Sequence, residues 1–316
     1  MPTPTSPEAL PDQKKDVASA LLALARGNVR ASDVAKFSDL DRAAVRIFAA
    51  GWPQLPESTR ADVVREMNAL SEDRLDINFG RALRVGLNDA SPEVRQLAVE
   101  ALWEDDRSDL AERLLELLDA DPSVGVRVQA ARALARFAAA AAEGDSPVQW
   151  VDRLRTALIE AASNEAEPSL VQRAALEAVA VFQESDAVHQ LIRDAYDSGD
   201  ADLEAGAIHA MGHSGDERWL DPVLDSLEHD DPEMRYEAAR ACGHLLDERA
   251  LPRLRVAADD EDPEVRHAAI SSISRIGGKE AVRLLESLAE DAPEADIEII
   301  DDALEEVRGE SLDGQW

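Results

Sequence analysis

One pattern constrains this chain more than any other: an apolar residue, with small or apolar residues following at +4, +7 and +8, returns six times. The copies begin at Val94 (SPEVRQLAVEAL), Val126 (VGVRVQAARAL), Val171 (SLVQRAALEAV), Leu203 (ADLEAGAIHAM), Met234 (DPEMRYEAARAC) and Val265 (DPEVRHAAISSI). They are separated by 32, 45, 32, 31 and 31 residues. Ala98, Ala101 and Leu102 in the first copy, or Ala269, Ser272 and Ile273 in the last, fall on one face of a helix. Small residues on that face let a neighbouring helix approach closely. A unit of about 31 residues cannot bury such a face alone, so the units must stack on one another.

Each unit reads as two helices. In Asp231-Pro232-Glu233 and Asp262-Pro263-Glu264 the aspartate caps a helix, the proline is tolerated in its first turn, and the glutamate complements the N-terminal dipole. Glycines at 212–215, Gly243 and Gly277-Gly278 predict the break after the first helix. Leu220, Val223 and Leu227, or Val282, Leu285 and Leu288, mark the second. The 45-residue step is a lengthened unit carrying AARFAAAAAEGDSPVQW, with a first helix ending near Gly144 and a second starting after Ser146-Pro147. Upstream, helices are expected at about 15–26, 40–51 and 57–71, interrupted by GWPQLPES. The organisation expected is a mobile tail over 1–13, an atypical helical cap over 14–75, a repeat array over 76–309 and a C-terminal tail over 310–316.

The pattern D-x-D-P-x-V-R-x-x-A-x-x-A-L, followed by a turn and a Leu-rich helix, resembles HEAT-type repeats, specifically the short HEAT-like repeats also found in phycobilin lyases. The resemblance covers roughly residues 76–309. It implies an all-α, right-handed α-α superhelix, a solenoid of antiparallel helix pairs. Gln172 and Glu204 depart from it by replacing the arginine, and the copy around 296–304 is degenerate. Deoxyhypusine hydroxylases, also built of HEAT repeats, hold two irons with His-Glu pairs. The corresponding pairs here include Arg173-Ala174, Ala205-Gly206, Tyr236-Glu237 and His267-Ala268, and no copy has both ligands.

Charge narrows the functional classes. The net charge of −33 is spread as −1 over residues 1–90, −8 over 91–183 and −24 over 184–316. Such a surface repels nucleic-acid phosphates and anionic membranes, so neither is an expected partner. The single cysteine, Cys242, excludes an internal disulfide framework, and it falls at a core position. No N-terminal basic region precedes an apolar core, and no apolar run spans a bilayer, which leads to a cytoplasmic expectation.

Several residues stand out by register. Arg95, Arg127, Arg235 and Arg266 recur beside capping aspartates such as Asp231 and Asp262, and are expected to form an Arg–Asp ladder that staples successive turns. Asp197, Glu228, Asp259 and Glu290 are each 31 residues apart, at the ends of second helices. Carboxylates there oppose the helix dipole, so helix stability does not explain them, and they read either as solubilising turns or as a docking edge for a basic segment. Trp103, Trp150 and Trp219 read as packing residues. Trp219 replaces the alanine of Ala250 and Ala281, which also makes it a candidate partner contact. His209 and His213 share a helix face, with His244 one repeat later. They read as a helix-end cluster, the competing reading being a transition-metal site. No catalytic, cofactor-binding or metal residue is assigned. The expected function is a non-catalytic scaffold or adaptor that binds a protein or peptide. The alternative is a bilin-lyase-like or chaperone-type enzyme holding a chromophore or client in its groove. The oligomeric state is left open.

Overall fold

The computed structural model describes residues 13–74, 76–144 and 147–313. Contacts divide the chain into two compact units, residues 1–133 and 134–316. No strand occurs among the described residues. No described helix is long and apolar enough to cross a membrane.

The first unit contains α1 (Gln13–Leu24), α2 (Ala31–Val34), α3 (Arg42–Gly51), α4 (Glu57–Asp73), α5 (Gly80–Gly86), α6 (Pro92–Ala101) and α7 (Ser108–Ala120). It also holds the start of α8 (Val124–Ala142), which crosses the division. Helices α1, α3 and α4 lie where the sequence predicts helices. The single turn of α2 was not anticipated, because four residues carry no readable periodicity. Asp41 starts α3 by accepting from the Ala43 and Ala44 amides. An aromatic cluster fills the core here: Phe37 meets Phe48 edge-on at 4.8 Å, and Phe48 meets Trp52 at 5.0 Å.

The second unit continues with α9 (Val148–Ser163), α10 (Ser169–Val179), α11 (Asp186–Tyr196), α12 (Ala201–Ser214) and α13 (Leu220–Ser226). It ends with α14 (Pro232–Leu245), α15 (Leu251–Ala257), α16 (Pro263–Ile276), α17 (Gly278–Asp291) and α18 (Ile297–Asp313). Helices α10, α12, α14 and α16 are the first helices of their repeats, and α11, α13, α15 and α17 the second. Asp231 and Asp262 cap α14 and α16 through the Glu233 and Glu264 amides, and Asp200 caps α12 in the same way. Of the expected tails, residues 1–12 and 314–316 lie outside the described residues, whereas Gln13 and residues 310–313 are helical.

The glycines divide into two kinds, which corrects the predicted breaks. Gly212 and Gly243 lie inside α12 and α14. A Cβ on Gly212 would sit 2.5 Å from the Ala241 Cα, and one on Gly243 would sit 2.5 Å from the Ser272 Oγ. They are absent side chains that let consecutive first helices touch. The breaks fall at Gly215 (φ 64°) and Gly277 (φ 71°), both within the predicted stretches, and at Leu246 (φ 54°) rather than Gly243, each 31 residues apart and each past a helix end. Leu246 therefore adopts a left-handed conformation that its counterparts give to glycine. Ala207, Ala210, Ala238, Ala239, Ala241 and Ala269 complete the buried seam between first helices. Within each unit the helix pairs thus stack as an all-α superhelix requires.

Candidate functional site

The arginine column builds a ladder, but its acids differ from those expected. In α6, Arg95 Nε and Nη2 donate to Asp121 at 2.8 and 2.7 Å, while Nη1 donates to the Asp89 carbonyl at 2.7 Å. Arg235 grips Asp260 at 2.7 and 2.9 Å and donates to the His229 carbonyl. Arg266 grips Asp296 at 2.8 and 3.3 Å and donates to the Asp260 carbonyl. Arg127 donates to the Asp121 carbonyl at 2.7 Å. Each fork therefore holds the carboxylate at the entrance of the following repeat, while Nη1 braces the turn of its own repeat. Asp231 and Asp262 are not the rung acids, because their side chains fold back onto their own helix amides. The ladder also begins earlier than the repeat alignment suggests. Arg60 in α4 holds Asp89 at 2.7 and 2.9 Å, and the Trp52 indole donates to the same carboxylate at 2.7 Å.

The rung acids are strongly ionised. Burial pushes Asp89 and Asp121 upward, but the guanidinium and backbone N–H bonds outweigh it and hold both below the usual carboxylate range. The Arg235 and Arg266 bonds likewise hold Asp260 and Asp296 down, with His267 Nε2 adding a 3.0 Å contact to Asp296. This places His267 at the edge of the last rung.

Between these rungs the ladder changes. Gln172 stands where the arginine would be and only donates to the Glu167 carbonyl at 2.8 Å. Glu204 occupies the next arginine position, and His229 the matching aspartate position. His229 Nδ1 accepts from the Asp231 amide at 2.9 Å, as Asp260 Oδ1 does from the Asp262 amide, leaving Nε2 3.7 Å from Glu204 Oε1. This rung has its residue types exchanged, with the carboxylate on the helix and an imidazole on the turn.

The acidic turns are exposed. Asp197, Glu228, Asp259 and Glu290 all face solvent. Glu228 accepts from Arg253 at 2.8 Å, whereas Asp197, Asp259 and Glu290 have no cation within ion-pair distance among the described residues. Their neighbours are committed: Asp200, Asp231 and Asp262 to caps, and Asp260 to a rung. Trp219 does not join them. It is 4% exposed, with its ring 6.1 Å from His189 and the Arg193 guanidinium 5.6 Å above it. Its repeat counterparts Ala250 and Ala281 are buried too, so the position is internal whatever residue fills it. The exposed indole is instead Trp103, at 53%, which departs from its packing assignment.

A second polar surface lies on the first helices of the second unit. Arg173 of α10 passes over Gly206 of α12, where an added Cβ would sit 2.7 Å from its Cγ, and reaches Glu233 and Glu237 of α14 at 2.8 and 3.3 Å. Glu177 holds its Nε at 2.8 Å. Glu237 is buried, yet the His209 hydrogen bond and nearby arginines keep its carboxyl below the ordinary range against that burial. His209, His213 and His244 stack, with centroids 4.4 and 4.2 Å apart. Stacked faces turn ring nitrogens sideways, and among the described residues no group of three or more His, Cys, Asp or Glu is arranged to hold a metal ion. Cover by neighbouring groups, together with neighbouring positive charge, pushes His213 and His244 down to about 4. Cys242 is fully buried, and burial pushes its thiol up to about 12, so it is not a nucleophile. Sequence reading picked out the imidazole trio of this surface but missed the arginines and glutamates around it. The signal was there in the columns at +2, +6 and +10 from each repeat's opening apolar residue, which collect Arg173, Tyr236 and His267, then His209 and Arg240, then His213, His244 and Arg275.

Comparisons with known proteins agree with this architecture. A family model described as HEAT repeats matches residues 81–147 and 220–305. No curated protein matches the chain. Among solved structures it is similar to the complex of CpcE and CpcF of phycocyanin lyase from Nostoc sp., at 18% identity and a TM-score of 0.54, over 80% of this chain and 96% of that one. It is also similar to human deoxyhypusine hydroxylase in complex with glycerol, at 16% identity and a TM-score of 0.36, over 94% and 97% of the two chains. The first likeness shows the fold.

Proposed function

Given a chain that carries HEAT repeats over residues 81–147 and 220–305, we propose that it is a non-catalytic scaffold whose acidic turns dock a basic segment of a protein partner. The observation that carries this reading is the contrast within each turn. One acid caps a helix or closes a rung, while its neighbour, at Asp197, Asp259 or Glu290, is exposed and has no cation beside it among the described residues. Spaced by two repeats and then one, these carboxylates present the same charge in register. The net −24 of residues 184–316 draws a cationic partner toward them.

The test is the triple reversal of Asp197, Asp259 and Glu290 to lysine, compared with reversal of the exposed Glu72, Glu100 and Asp119 in the first unit. Binding of a lysine- and arginine-rich peptide is followed by calorimetry at two salt concentrations, and helix content by circular dichroism. The reading expects binding that weakens with salt, disappears in the first variant and persists in the second, with helix content unchanged in both. Equal binding by both variants rejects it.

A further inference from the structure

The first helices of the second unit hold an arginine pair that the fold does not use. A groove of about 220 Å³ between α14 and α16 is lined by Tyr236, Arg240, Glu264, His267, Ser271 and Arg275, with Ala268 and Ser272 along it. Four neighbouring arginines of this unit are held by carboxylates. Arg173 has three carboxylates, Arg235 and Arg266 close rungs, and Arg253 holds Glu228. Arg240 differs. Its nearest carboxylate is Glu237 Oε2, 3.7 Å away and already bonded to His209, and its guanidinium lies 5.5 Å over the Tyr236 ring. Arg275 differs further, since its one contact among the described residues is the His244 Nδ1 at 3.4 Å, an uncharged acceptor. In a chain with twice as many acids as bases, one guanidinium with a single shared carboxylate and a second with none among the described residues, both on one groove, are contrary to the general composition. Of the groove's own residues only Glu264 is acidic. His267 is tied to Asp296 by Nε2.

We propose that this groove binds a phosphoryl group. Two guanidinium forks match a dianion, where a single carboxylate would leave one of the two charges unmatched. The Ser271 and Tyr236 hydroxyls add donors for the third and fourth oxygens of a tetrahedral group. The uncharged state of His244 keeps Arg275 loosely held and available. The site is independent of the acidic turns, so failure of one does not decide the other.

The experiment is calorimetric titration of the full chain at fixed ionic strength with inorganic phosphate, O-phosphoserine and acetate, alongside R240Q, R275Q and, as a control, R283Q. Arg283 is an exposed arginine of α17 that holds only Glu280. The expected result is saturable one-to-one phosphate binding that falls about tenfold or more in R240Q and in R275Q and persists in R283Q. Arginine Nε–H resonances of the unmodified protein should shift with the same titration, a readout that does not depend on any variant folding. Tighter binding of O-phosphoserine than of phosphate assigns a phosphorylated side chain as the source, and equal binding assigns a free phosphate compound. Absence of saturable binding, unchanged binding in both variants, or acetate binding as tightly as phosphate overturns the proposal.

Discussion

The rungs of the first unit and those of the second use the same chemistry with different regularity. In residues 1–133, Arg60–Asp89 and Arg95–Asp121 are nearly sealed, with side-chain exposures of 10% and 2%, and of 9% and 4%. In residues 134–316 the rungs vary: Arg235–Asp260 is more open on its acid, at 11% and 12%, whereas Arg266–Asp296 keeps a sealed acid at 17% and 2%. Two positions upstream break the pattern, Gln172 by losing the charge and Glu204–His229 by putting the acid on the helix and an imidazole on the turn. Around that interruption the chain rewires. Arg173 reaches across α12 to the buried Glu237, and the imidazole stack forms beside it. The regular part of the ladder consumes its charges in holding the fold. Both candidate binding features lie beside regular rungs of the second unit, the groove between α14 and α16 and the acids at Asp259 and Glu290, on side chains that the rungs do not take up.

The largest effect that could break this comparison is truncation of a sealed rung. Arg95→Ala leaves Asp121 buried without its guanidinium and should cost about 3–5 kcal/mol in urea unfolding, against a distinctly smaller loss for the more open Arg235→Ala. Equal losses would mean that burial does not set the worth of a rung. Next comes acidity. Asp89 and Asp121 have folded-state values below their unfolded ones, so their stabilisation is complete above about pH 4 and is lost as pH falls through the folded values. His213 and His244 are depressed from 6.5 to about 4, so the unfolded chain takes up protons first, and stability should fall between pH 6.5 and about 4. Replacing both histidines with glutamine should flatten urea midpoints over that interval and leave the fall below pH 4 in place. Smaller still is the left-handed turn. Leu246→Gly should raise stability by about 0.5–1 kcal/mol, whereas Gly215→Leu and Gly277→Leu should lower it, as measured by thermal unfolding.

Much of the fold could be read in advance because repetition exposes it. Val94, Met234 and Val265 announced the first helices, and Asp231-Pro232 and Asp262-Pro263 announced their caps. Pairings were harder to read. The ladder acid lies about 25–30 residues ahead of its arginine, at Asp121, Asp260 and Asp296, so the eye settles on the adjacent cap instead. Gly212 and Gly243 looked like breaks because a glycine for close approach and a glycine for positive φ are the same letter. Leu246 hid a real break for the converse reason. Trp219 is the packing residue its first reading made it, and the added expectation of a partner contact does not fit a position that is buried at Ala250 and Ala281 too. The open arginine pair was invisible to a reading along the chain, since Arg240 and Arg275 meet only when α14 and α16 are laid side by side.

The rung grammar is tested most directly at its exception, by a double-mutant cycle on Glu204→Arg and His229→Asp. If this column is a ladder position with its residue types exchanged, Glu204→Arg removes the carboxylate that faces the imidazole, His229→Asp sets two carboxylates together, and the pair rebuilds an Arg–Asp rung. The account predicts a favourable coupling of about 0.5–3 kcal/mol and a double variant at least as stable as the starting protein. Additive losses in the double variant would contradict it.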